Sequence, residues 1–110
     1  MAERIKTYAE FWPYYLGEHA RSATRSLHFL GTGLAIACLI AAIIFAEPWF
    51  LAAAVVSGYA FAWAAHALVE RNRPATFTHP LWSLASDFRM FGLWLAGRLD
   101  AELEKAGVRR

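Results

Sequence analysis

The histidines of this chain are His19, His28, His66 and His79, and each stands near the edge of an apolar stretch. A neutral imidazole is the commonest nitrogen ligand for iron, zinc, copper and nickel. Four of them suffice for one ion, not two. No HxxH, HxxxH or HExxH spacing occurs, so neither the zincin signature nor the dense histidine boxes of di-iron membrane hydroxylases and desaturases is present. Glu70 lies four residues after His66, on the same face of a helix, and is either a further ligand or a carboxylate that fixes a ring tautomer. Its alternative is an ion pair with Arg71, Arg73 or Arg25.

The elements that must position these residues are apolar. Of 110 residues, 58% are hydrophobic and 18% charged, a surplus that points to lipid rather than to a soluble globular chain. The formal charge of +2 is too small and too scattered to argue for nucleic acid. Leu27 to Ala46 and Trp49 to Val69 each meet the roughly 20 residues that a helix needs to cross about 30 Å of hydrocarbon. Only Glu47 and Pro48 separate them, which predicts an all-α membrane hairpin of two spans with a tight turn. Small residues along both runs, from Gly31 and Gly33 to Ser57 and Gly58, suit close helix approach. His28 then stands about 19 residues before the turn and His66 about 19 after it, so a rise of about 1.5 Å per residue brings both to one depth. His19 and His79 lie just outside the spans, in the same layer.

Arg4, Lys6, Arg21 and Arg25 precede the first span and Arg71 and Arg73 follow the second. The positive-inside rule therefore puts both outer ends in the cytoplasm, and Trp49 and Phe50 suit an aromatic belt at the far surface. The N-terminus lacks the apolar core of a secretory signal. Residues 5 to 16, which include Pro13, predict a short interfacial helix. Residues 80 to 99 predict a second one, because Asp87 and Arg89 sit at the centre of an otherwise apolar stretch where charge facing lipid is costly. A third span over 81–97 is the alternative. The tail from Asp100 reads as a solvated charged face, with Glu102 or Glu104 near Lys105. Cys38 reads as a small buried apolar residue. The whole of 1–110 is one integral-membrane helical domain.

The pattern "HARSATRSLHFLG", His19 through Gly31, followed after the hairpin by "HALVERNRPA", His66 through Ala75, resembles the small membrane proteins related to the yeast 2-hydroxy-fatty-acid dioxygenase of phytosphingosine breakdown. The resemblance covers about residues 11 to 96. It implies an Fe(II)-dependent dioxygenase, with a mononuclear iron, that removes one carbon from a long-chain 2-hydroxy fatty acid using O₂. It places the family's histidines on His19, His28 and His66, with Glu70 at the acidic position. Thr24 stands where the family usually has Asn and keeps a hydrogen-bonding group there.

A metal held by neutral imidazoles in this layer would meet a fatty acid at its head group. His79 is the fourth candidate ligand, Arg25 or Arg73 the candidate partner of the substrate carboxylate, and Tyr14, Tyr15, Trp63, Trp82 and Phe88 candidates for the acyl entrance. The expected partners are a 2-hydroxy fatty acid, O₂ and the bilayer, with a homo-oligomer left open. The expected location is a bacterial inner membrane. Two other classes stand beside this one: a haem-binding electron-transfer protein with paired axial histidines, and a non-enzymatic lipid-binding or scaffold protein.

Overall fold

The computed structural model describes residues 5–73 and 78–108, and every regular element in them is helical. In chain order these are α1 (Tyr8–Gly17), α2 (Ser22–Phe45), α3 (Trp49–Ala64), a π-helical turn that continues α3 over Ala65–Glu70, α4 (Pro80–Leu95) and α5 (Leu99–Lys105). Arg4, and Pro74 and Ala75 of the second motif, lie outside the described residues.

α2 and α3 form the expected hairpin. α2 stops where Ala46 takes a left-handed conformation (φ 53°), and Pro48 occupies the cap of α3, where its missing N–H costs nothing. Ser22–Phe45 and Trp49–Glu70 are long and apolar enough to cross a membrane, yet only 22% of each apolar window is buried. A core helix of a soluble domain would be mostly covered. Here Ile43, Ile44, Phe45, Trp49, Val55 and Val56 all face outward. The two helices touch where Gly31 meets α3: a Cβ on Gly31 would stand 2.8 Å from Phe61 Cβ and 3.0 Å from the Ser57 carbonyl oxygen, so only glycine permits this approach.

α4 has 16 residues, about 24 Å at helical rise, and falls short of a span. The third-span alternative is therefore not met. The helix also ends at Leu95, before the expected Leu99, because Gly97 turns left-handed (φ 74°) and the Arg98 N–H reaches back to the Leu93 carbonyl at 2.8 Å, the Schellman arrangement that satisfies terminal carbonyls.

The closed core lies beyond the hairpin's open end. Phe11, Trp12, Tyr15 and Leu16 of α1, Phe29 of α2, Met90 of α4 and Leu99 and Leu103 of α5 bury one another. The tail belongs to this cap rather than to a purely solvated face. Glu102 Oε1 accepts from Trp12 Nε1 at 2.9 Å, and the Arg89 guanidinium lies 4.0 Å above the Trp12 ring. Arg89, costly toward lipid, is thus turned onto an aromatic face, and α1, α4 and α5 close as one layer over the start of α2.

Candidate metal centre

Three local features aim three rings at one point. His19 sits in the turn after α1, where the buried Arg25 side chain reaches back from the first turns of α2 and donates to the His19 and Ala20 carbonyls at 2.9 and 2.8 Å. His28 projects from α2, four residues into the bundle from Thr24. His66 lies in the π-helical turn, whose wider winding re-aims side chains and is frequent at functional sites. That turn is closed by the Arg71 and Asn72 N–H groups, both donating to the His66 carbonyl, with Arg71 left-handed at φ 62°.

The result is a triangle of nitrogens. His19 Nε2 lies 3.0 Å from His28 Nε2 and 3.0 Å from His66 Nε2, and His28 and His66 are 3.3 Å apart. All three side chains are buried. Their tautomers follow from their outer nitrogens. His19 Nδ1 faces the Tyr15 carbonyl at 2.7 Å, an acceptor, so this nitrogen carries the proton. His66 Nδ1 faces Asn72 Oδ1 at 2.6 Å, and the Asn72 amide is oriented by donating its Nδ2 to the Glu18 carbonyl and carboxylate at 3.1 and 3.2 Å. In the neutral rings, both Nε2 atoms are then bare lone pairs pointing at each other and at His28. Burial, with the neighbouring imidazoles, holds His19 well below the usual histidine pKa, which keeps it in the neutral form that a metal requires.

A bound cation would satisfy these lone pairs. For metal–nitrogen bonds of about 2.1 Å, ligand nitrogens stand about 3.0 Å apart at right angles and about 3.4 Å apart in a tetrahedron. The observed edges fall in that interval. These three histidines can hold one metal ion, and three protein ligands leave positions for small molecules. A haem would need a porphyrin between two of the rings, and edges of 3.0–3.3 Å with a third ring alongside leave no room for one.

The expected group of four is a group of three in the structure. His79 stacks on Trp82 (centroids 5.5 Å, 4° between planes) and contacts Phe11, and its Nδ1 bonds Thr78 Oγ1 at 2.8 Å. Trp82 is engaged in that aromatic packing. Glu70 does not turn to the triangle either: its Oε2 accepts from the Arg21 N–H at 2.6 Å and from Thr24 Oγ1 at 2.8 Å. It supplies a carboxylate to the start of α2, whose own cap residue Arg21 makes no side-chain cap bond. Thr24 does the hydrogen bonding expected of it, toward Glu70. Arg25 is committed to the His19 loop. Arg73 is exposed, and Trp63 packs on Tyr59 at 5.5 Å between centroids.

Asp87 and Asn72 carry no site role in the sequence reading, and Tyr15 reads there as a candidate for the acyl entrance rather than as a partner of the histidines. Asp87 of α4 brings Oδ1 to 3.7 Å from His28 Nδ1 and accepts a 2.5 Å bond from the Tyr15 hydroxyl. Burial pushes its carboxyl up to about 7 against the opposing pull of that bond. Tyr15 therefore serves two of the three rings, His19 through its carbonyl and His28 through Asp87. Asn72 orients His66. Asp87 did carry a signal, a charge in an apolar stretch; it reads first as a topological marker. Beside His28 and Asp87 a cavity of about 350 Å³ opens between α2, α3 and α4.

A family model described as 2-hydroxy-palmitic acid dioxygenase Mpo1-like matches residues 5–99. The chain belongs to the Mpo1-like family. No curated protein and no solved structure matches it. The segment shared with the Mpo1-like family contains the three histidines and Tyr15, Asn72 and Asp87, and it ends at the first residue of α5, so the Trp12–Glu102 clasp completes the cap from beyond it.

Proposed function

We propose that this protein is a membrane-embedded, iron-dependent dioxygenase that shortens a long-chain 2-hydroxy fatty acid by one carbon. One observation carries the reading: in a chain of this family, three imidazole nitrogens converge, and one of the three histidines, His28, also lines an apolar cavity. His19, His28 and His66 would hold the metal. A mononuclear Fe(II) bound there would supply O₂ activation and a positive charge that attracts the hydroxyl and carboxylate oxygens of the substrate.

The chain's own groups do the rest. Neutral imidazoles add no charge, so an anionic carboxylate is attracted to the centre rather than repelled. Tyr15 and Asn72 lock the ring orientations, which keeps the cost of organising the site out of the reaction. Asp87 and Thr32, both on the cavity wall beside His28, offer hydrogen-bonding groups to the 2-hydroxyl. The apolar walls exclude bulk water. The reaction balances without a separate reductant: a 2-hydroxy acid and O₂ give the acid one carbon shorter, carbon dioxide and water, and all four electrons come from the substrate. The arginine flanks support a hairpin whose outer ends lie on the cytoplasmic side, with the histidine layer near that surface.

The test is reconstitution in lipid nanodiscs with Fe(II) under air. O₂ uptake should match formation of the shortened acid one to one, and the acid lacking the 2-hydroxyl should react poorly. An iron-loaded protein that consumes no O₂ with 2-hydroxy acids of any length would overturn the reading.

A further inference from the structure

The cavity beside His28 has a direction. Its upper wall is polar, made by His28, Thr32 and Asp87, and it descends between α2 and α3 to Leu39 and Leu51. His28 and Leu39 are eleven residues apart on one helix, about 16 Å at helical rise. With about 1.25 Å per methylene in an extended chain, from carbon–carbon bonds of about 1.5 Å, that depth accommodates about 13 carbons. The floor is cut by small residues: Ala35 on α2 faces Gly58 on α3, where a Cβ would stand 3.8 Å from that of Ala35, and Ala54 continues the line. Leu84 and Phe88 of α4 flank the upper part. Leu39 and Leu51 at the lower end are themselves partly exposed, on the same helices whose outer faces carry Ile43 and Val56. The channel thus reaches His28, one of the three converging histidines, at one end and the outward-facing surface at Leu39 and Leu51 at the other, and its volume of about 350 Å³ lies within the range of small-molecule sites.

We propose that this channel seats the acyl chain of the substrate, carboxyl end at His28 and tail toward Leu39 and Leu51, so that a fatty acid enters from the hydrocarbon layer without leaving it. The proposal rests on the dioxygenase reading for its occupant. Chain length is then sensed along α2: each methylene down to about the thirteenth carbon adds apolar contact, and carbons beyond that emerge into lipid and add none. Gly58 and Ala35 mark the level of about the eighth carbon, seven residues below His28.

Two experiments test it. In the first, Gly58→Leu fills the channel at that level. The ratio of kcat/KM for a 16-carbon over an 8-carbon 2-hydroxy acid should fall at least about ten-fold with metal content unchanged, while Val56→Trp on the outer face should leave the ratio as in the wild type. An unchanged ratio in folded, metal-loaded Gly58→Leu protein overturns the proposal. In the second, which needs neither turnover nor a folded variant, a 2-hydroxy acid with a diazirine at carbon 8 is photolysed in nanodiscs with the wild-type protein. Labelling at Ala35, Ala54 and Gly58, competed by unlabelled 2-hydroxy acid, supports it. Labelling spread over Ile43 and Val56, or equally strong channel labelling by a diazirine phosphatidylcholine, overturns it as a general lipid contact. Selective labelling without O₂ consumption would leave the channel standing and remove the dioxygenase reading alone.

Discussion

Gly31 and Phe61 set the distance between the two long helices: a methyl group on Gly31 would stand 2.8 Å from Phe61 Cβ and 3.0 Å from the Ser57 carbonyl oxygen, both on α3. His28 lies three residues from one contact partner and His66 five from the other, so the width of the histidine triangle is inherited from this spot. Gly31→Ala should force α2 and α3 apart. An overpacking cost of about 1–3 kcal/mol is expected, with at least a ten-fold loss of metal affinity. Thermal unfolding and metal titration in the same detergent check it, and a variant with wild-type values in both would show that the separation is governed elsewhere.

Because only three rings converge, metal stoichiometry should divide the histidines. His19→Ala, His28→Ala and His66→Ala should each lose most bound metal by elemental analysis, whereas His79→Ala, which removes an aromatic contact with Trp82 and Phe11, should retain it. Asn72→Ala should lie between, with affinity down about 10–100-fold, since His66 keeps its Nε2 but loses the acceptor that orients it. Loss of metal in His79→Ala with an intact melting transition would contradict the assignment.

Glu70 offers a sharper contrast between ligand and brace. Its Oε2 is taken by Arg21 N–H and Thr24 Oγ1, so Glu70→Gln should keep the metal content and Glu70→Ala should cost about 1–3 kcal/mol of stability through the charged hydrogen bonds lost at the start of α2. A metal content that falls in Glu70→Gln while unfolding is unchanged would make Glu70 a ligand.

Asp87 gives a pH signature in metal-free protein. Its folded pKa of about 7 lies above the ordinary 3.8, so between these values the native state holds the proton more firmly than the unfolded chain. The stabilisation is complete below about pH 4 and is lost as pH rises through 7. Asp87→Asn, which cannot ionise, should therefore gain stability relative to wild type as pH is raised from 4 to 8, by no more than about 4 kcal/mol. His19, depressed below its ordinary value, acts in the opposite sense and is common to both proteins. It cancels in the difference. Melting curves of the pair across that range measure it, and a flat difference would place the Asp87 carboxyl in water.

Depth was legible in the sequence. Helical rise is constant and the turn between the spans is two residues long, so arithmetic on Leu27–Ala46 and Trp49–Val69 is enough to bring His28 and His66 to one level, and the small residues mark where the helices touch. What arithmetic along a helix leaves open is rotation about it and the docking of separate helices. His79 shares the layer and faces an aromatic pocket, because Phe11 and Trp82 offer its ring a stacking surface. Glu70 sits one helical turn after His66 and still points elsewhere, because the π-helical turn breaks the register on which a shared face depends. Asp87 reads as a charge to be kept from lipid until the aromatic cap of Phe11, Trp12, Tyr15, Met90 and Leu103 docks α4 on α1 and brings its carboxylate to Tyr15 and His28. Composition and spacing determined the helices, their apolar length and the level of the site. Which side chains face one another was decided by packing between helices distant in sequence, since burial of the cap and the glycine contact, rather than any local preference, select one rotation of each helix.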